Sequence, residues 1–145
     1  MLGRLLFNVY VNDLHRNLKY CKYHQYADDL QIYRHFKPSS LNDNIAQLNE
    51  DIQRLTTWND NHNLLLNSAK TQFILLGSSK LLSQMDPNLT VLITVGGESV
   101  MPSTTVKSLG ITLDSTLSWQ PHVHLTIKKV LSIVYQLCCN LEFCP

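Results

Sequence analysis

Between residues 41 and 58, apolar side chains recur at Leu41, Ile45, Leu48, Ile52, Leu55 and Trp58. Steps of three and four residues place them along one side of an α-helix of about five turns. A strand cannot present such a stripe, because its side chains alternate with period two. The opposite side carries Asn44, Gln47, Glu50, Asp51 and Arg54, which the pattern predicts to be wet. Pro38-Ser39-Ser40 precedes the helix, and Ser40 with Asp43 approximates a capping box. The helix should end near Asn61-His62-Asn63.

Around this helix the chain alternates between shorter patterns. Leu5 to Leu14, LLFNVYVNDL, has apolar residues at helical spacing, with Asp13 at its polar edge closing the helix. Cys21 to Ala27 and Leu30 to Phe36 are rich in Tyr and Ile and read as two strands joined at Asp28-Asp29. Aspartate tolerates the positive φ of tight hairpin turns. Thr71 to Leu76 reads as a strand and Ser78 to Asn88 as a polar loop. Leu89 to Val95 and Ser99 to Met101 flank Gly96-Gly97, a hairpin signal. Val106 to Leu113 reads as one further strand, and Pro121 opens a last helix striped by Val123, Ile127, Val130, Val134, Leu137 and Leu141. The order predicts an α+β fold with a mainly antiparallel sheet covered by amphipathic helices.

Composition narrows the function classes. With 145 residues the chain is one domain or a large piece of one. Its 44% apolar content excludes disorder over most of the length. A formal net charge of +1 is low for a self-sufficient nucleic-acid binder, although Arg4, Arg16, Lys19, Lys22, Arg34 and Lys37 gather near the start. Cys21, Cys138, Cys139 and Cys144 form no CxxC pair, and the histidines show no metal spacing; reduced cysteines in an intracellular protein, nuclear or cytoplasmic, are expected. No apolar run is long enough to span a bilayer, so no membrane partner is expected. Trp58 and Trp119 read as packing residues, His122 and His124 as helix-start residues, and Asp114 as a turn residue capping the next segment.

The adjacent acids carry the chemistry. Metal-dependent phosphoryl transfer needs hard oxygen ligands, for Mg²⁺ one or two carboxylates completed by water and substrate phosphates. A hairpin tip is a firm mount for such ligands. Neighbouring strand residues point to opposite faces, which leaves one of Asp28 and Asp29 as the principal ligand. The bare pair is also what a solvated turn would carry.

Context separates the two readings. Tyr26-Ala27-Asp28-Asp29, preceded by LLFNVYVNDL and followed by a long helix, NSAKTQFILLG and VKSLGITLDSTLSW, resembles the palm of reverse transcriptases from non-LTR (LINE-type, jockey- and CR1-like) retrotransposons. The resemblance implies a C-terminal palm piece over residues 1–77, then primer-grip-like strands and the start of a thumb-like helix over 78–145. It implies Asp28 and Asp29 as catalytic Mg²⁺ ligands, and Lys70 beside the leaving pyrophosphate as a charge stabiliser or general acid. Tyr26 and Ala27 would lie at the nucleotide and primer terminus, and Leu109-Gly110 at the primer grip, with RNA template, DNA primer and dNTP as the parent enzyme's partners.

The sequence departs from that pattern at its start. The family's first catalytic aspartate lies upstream of the segment matched here, and Leu2-Gly3-Arg4-Leu5 stands where the family tends to have Leu-Gly-Pro-Leu. With one carboxylate set, the chain alone is expected to bind Mg²⁺ weakly and not to polymerise. Its alternative is a non-catalytic relic that serves as a binding module. In either case an uncovered apolar sheet surface and marginal stability are expected.

Overall fold

The structure is a computed structural model that describes residues 2–85 and 91–141. Leu89, at the start of one expected strand, the side chain of Leu141 and Cys144 lie outside the described residues. The chain divides into two units, Met1–Phe73 with Gln84–Pro102, and Ile74–Ser83 with Ser103–Pro145.

The first unit is organised by the striped helix. Helix α1 spans Leu2–Tyr10 and is followed by a 3-10 turn at Leu14–Asn17. Strands β1 (Lys22–Tyr26) and β2 (Asp29–Tyr33) form an antiparallel hairpin, and α2 runs from Leu41 to Asn61, as its periodicity requires. Val11, Leu14, Leu55 and Trp58 form a buried cluster on which Leu18, Leu30, Ile32 and Leu64 pack. Burying a side chain of the size of Leu55 is worth about 2 kcal/mol. In β2, Leu30 and Ile32 face this cluster while Asp29, Gln31 and Tyr33 face outward, the alternation expected of a sheet with one wet side. Further along α2, Leu41 and Ile52 are also buried.

The hairpin of β3 (Ile93–Val95) and β4 (Glu98–Val100) turns at Gly96-Gly97, both at positive φ as a type I′ connection requires. It packs on α2, where Thr94 N–H donates to Asn49 Oδ1 at 2.9 Å.

Helix α3 (Ser79–Leu82) lies in the second unit and interrupts the expected polar loop; its cap is Ser78, whose hydroxyl accepts from Leu81 N–H. Strands β5 (Thr105–Ser108) and β6 (Ile111–Asp114) pair as a third hairpin, and α4 spans Gln120–Leu141. Pro121 sits in the first turn of α4, where its missing N–H costs nothing.

Five further expectations are corrected. In place of one sheet, the described residues form three separate two-stranded antiparallel hairpins. The segment Val106 to Leu113 folds back on itself because Leu109 and Gly110 take φ of +47° and +86°, the two left-handed positions of a tight turn. Thr71 to Leu76 makes a single parallel bridge, Phe73 to Pro102, and no strand. The first helix ends at Tyr10, short of Asp13. The capping box does not form, since the Ser40 hydroxyl donates to Lys37 C=O and accepts from Asn44 Nδ2.

Candidate catalytic hairpin

The loop joining β1 to β2 is Ala27-Asp28, one residue earlier than expected, because Asp29 pairs across the ladder with Tyr26. The positive φ of the turn, +53°, falls on Ala27 and not on an aspartate. A left-handed backbone costs a non-glycine residue of the order of 1 kcal/mol, because Cβ crowds the following carbonyl oxygen. Tyr26, Ala27, Asp28 and Asp29 are all exposed at the tip, Tyr26 at 70%. Beside them an open groove is lined by Asn8 of α1, by Asn12 and His15 beyond it, and by Tyr23, His24, Gln25 and Ala27. On the outward face His24 stacks on Tyr33 at 5.2 Å; on the other face Tyr23, the cross-strand partner of Ile32, stacks on His15 at 4.9 Å.

What anchors this hairpin is a residue that the helical pattern assigns to the wet side. Asp51 of α2 is fully buried. Its Oδ1 accepts from Lys19 N–H at 2.9 Å, and its Oδ2 accepts from Tyr20 and Cys21 N–H, both at 2.8 Å. Those donors immediately precede β1, so the carboxylate ties the start of the hairpin to the middle of α2. Burial alone would raise the pKa of Asp51, but the three N–H donors outweigh it and hold the carboxyl below its ordinary range. Burial and the neighbouring Asp51 carboxylate push the Cys21 thiol up to about 12, which leaves it protonated and unreactive.

A second clamp lies beside the first. Arg34, just beyond β2, donates to Tyr20 C=O at 2.9 Å and to Asn44 Oδ1 of α2. Its guanidinium lies 5.6 Å from the centre of the Tyr20 ring, and Lys19 Nζ lies 4.8 Å from the same ring. Both ends of the hairpin are therefore fixed to α2, while its tip is open to solvent. Asp51 had a signal in the sequence: it stands three residues after Leu48 and four before Leu55, on the border of the stripe.

Lys70 closes a 3-10 turn, Ser68–Lys70, in the same unit; the Asn67 side chain caps the turn by accepting from Lys70 N–H at 3.1 Å, and Lys70 is exposed. Leu109 and Gly110 belong to the second unit, at the tip of the β5–β6 hairpin, so Gly110 serves a turn and not a strand bulge. Asp114 acts as a turn residue: its carboxylate accepts from Thr116 Oγ1 at 2.5 Å and from Thr116 and Trp119 N–H at 3.2 Å. The Thr116 hydroxyl bond, joined by donors from Thr116 and Ser118, holds that carboxyl down at about 2. Trp58 is core, whereas Trp119 is half exposed, edge-on to His122.

Among the described residues no three His, Cys, Asp or Glu side chains are grouped so as to hold a metal ion by themselves. The exposed carboxylates of Asp28 and Asp29 are hard oxygen donors of the kind that Mg²⁺ takes together with water and phosphate. They do not fit a self-sufficient two-metal centre.

The sequence profile of the family described as reverse transcriptase (RNA-dependent DNA polymerase) matches residues 1–113, and the chain belongs to that family. That span includes the hairpin with Asp28 and Asp29, the turn with Lys70, and Leu109-Gly110. No curated protein and no solved structure matches the chain. A domain of this family implies nucleic acid and nucleotides as substrates of the parent enzyme. No helix among the described residues is long and apolar enough to cross a membrane.

Proposed function

We propose that the chain is the C-terminal palm of a non-LTR, LINE-type reverse transcriptase, whose parent activity is RNA-directed addition of deoxynucleotides to a primer 3′-hydroxyl. The observation that carries this reading is the exposed Asp28–Asp29 pair at the tip of a clamped hairpin, inside a segment of the reverse transcriptase family. Asp28 and Asp29 are the metal ligands. Bound there with a nucleotide, Mg²⁺ supplies neutralisation of phosphate charge. Tyr26 and Ala27 border the nucleotide and primer end. Lys70 offers an exposed ammonium to the leaving pyrophosphate, and Leu109-Gly110 offers its turn backbone to the primer.

Because the described residues supply one carboxylate pair and no third ligand, the 145-residue chain alone should not extend primers. The test has two arms, both primer extension on an RNA template with Mg²⁺. The chain alone should give no product. A chimera in which residues 1–113 replace the matching segment of an active reverse transcriptase should extend, and Asp28→Ala/Asp29→Ala should abolish that extension. Extension by the double mutant chimera would remove these residues from the chemistry. Extension by the isolated chain would overturn the half-site argument.

A second reading, a non-catalytic interaction module, draws on the apolar side chains that α1 and α4 leave exposed, among them Leu5, Leu6, Val9, Ile127 and Leu131. Wild-type-like binding to a protein partner by the Asp28→Ala/Asp29→Ala variant, with an inactive chimera, would favour it.

A further inference from the structure

One side chain closes the root of the β1–β2 hairpin. Arg34 follows β2 directly. Its Nη1 donates to the C=O of Tyr20, two residues before β1, at 2.9 Å, and its Nε donates to Asn44 Oδ1 in the first turn of α2. The entry to β1, the exit from β2 and the start of α2 therefore meet on one planar group. Asn44 is itself held, since its Nδ2 donates to Ser40 C=O at 2.6 Å. Tyr20 is also one of the residues whose N–H donates to the buried Asp51. Arg34 thus pulls on a segment that α2 already grips from the other side of the peptide.

The body of the hairpin leans on its unit through one strand. Leu30 and Ile32 of β2 pack on the core, whereas no residue of β1 is buried. Apolar packing is non-directional, so it holds β2 down without fixing the angle at which the strand runs. Hydrogen bonds have preferred directions, and those at the root fix that angle. Asp29 precedes Arg34 by five residues, roughly 16 Å along an extended strand. Over that length a tilt of about 4° at the root displaces the tip by about 1 Å. A misplacement of about 1 Å between reacting groups costs on the order of a hundredfold in rate.

We propose, on the reading of Asp28 and Asp29 as metal ligands, that Arg34 is a positioning residue whose guanidinium sets the angle at which the hairpin presents that pair to the reacting atoms. Lysine cannot take over the role, because a single ammonium lacks the planar fork that reaches two separate acceptors. The test measures kcat and the nucleotide KM of the chimera described above by primer extension, and amide hydrogen exchange of the full 145-residue chain. Arg34→Lys should lower kcat by about 10- to 100-fold and leave KM within about twofold, because displaced metal ligands act in the transition state. Asn44→Asp keeps an acceptor for Arg34 Nε and should hold kcat within about threefold. Arg54→Met removes another cation, 6.0 Å from the Tyr20 ring, whose bond goes to Glu50, and should leave kcat unchanged. In the full chain, Arg34→Lys should speed exchange in β1 and β2 by at least about tenfold while the α2 amides stay protected. Unchanged kcat in Arg34→Lys, a loss confined to KM, an equal loss in Arg54→Met, or unchanged hairpin exchange would each overturn the proposal. Loss of α2 protection as well would make Arg34 a residue of the whole fold and overturn it too. Extension by the Asp28→Ala/Asp29→Ala chimera removes the metal-ligand reading and this one together; full kcat in Arg34→Lys beside an inactive aspartate variant removes this one alone.

Discussion

Helices α2 and α4 are nearly equal in length, 21 and 22 residues, and both carry an apolar stripe. Their surroundings could hardly differ more. The stripe of α2 is covered by the hairpins of its unit, and its border residue Asp51 is recruited into a buried bond network. The stripe of α4 is bare beyond its first turn. Periodicity thus specifies that a helix has a side to bury, and the presence of a second surface decides whether that side is buried within the chain. The charge patterns differ as well: α2 carries acids and bases for a mostly wet outer side, whereas α4 carries two lysines and no acid.

Substitutions on the two helices should separate them by size of effect. Asp51→Ala strips three N–H groups of their buried acceptor and should destabilise the first unit by about 3 kcal/mol or more, as denaturant titration would show. Leu55→Ala in the covered stripe should cost about 3 kcal/mol by the same measurement. Acid acts through the network around Asp51. Its folded-state pKa is depressed, so its contribution is fully present above the ordinary value of 3.8 and is lost as pH falls below it. Asp114 behaves alike, losing its contribution between 3.8 and about 2. A pH series of thermal melts should accordingly show stability falling below pH 3.8, and Asp51→Asn should flatten that fall. Smallest of all, Val130→Ala on α4 should change stability by less than about 0.5 kcal/mol. A cost for Val130→Ala equal to that of Leu55→Ala would erase the distinction between the helices.

The legible parts of the fold were those with a strong local period. The full extent of α2, the hairpin at Gly96-Gly97 and the start of α4 at Pro121 all follow from spacing or turn chemistry that needs no distant partner. The misread parts depend on contacts made elsewhere. Asp51 is polar by type but sits on the border of the stripe, and only the three N–H groups ahead of β1 explain why it is inside. Val106 to Leu113 is as apolar as a single strand, yet Gly110 permits a reversal that also forces Leu109 to positive φ. At the candidate site, the sequence marks the two aspartates as lying where one strand turns into the next, and the structure has them at a hairpin tip. Their exact places were not legible, since the ladder pairs Asp29 with Tyr26 and assigns the left-handed turn residue to Ala27. Neither the clamp by Asp51 nor that by Arg34 could be read from the YADD segment itself.

The bonds of Asp51 also set an order of events during folding. They join residues 30 to 32 positions apart in the chain, so their formation closes a long loop whose entropy must be overcome before any of the three bonds contributes. Helix α2 can form from contacts within a few residues, and the β1–β2 hairpin from a two-residue turn. Docking the carboxylate, with the packing of Leu30 and Ile32 on Leu55 and Trp58, joins those two local pieces. A nascent chain therefore lacks the anchor at the start of its hairpin until residue 51 has left the ribosome, some twenty residues after the tip aspartates themselves were made.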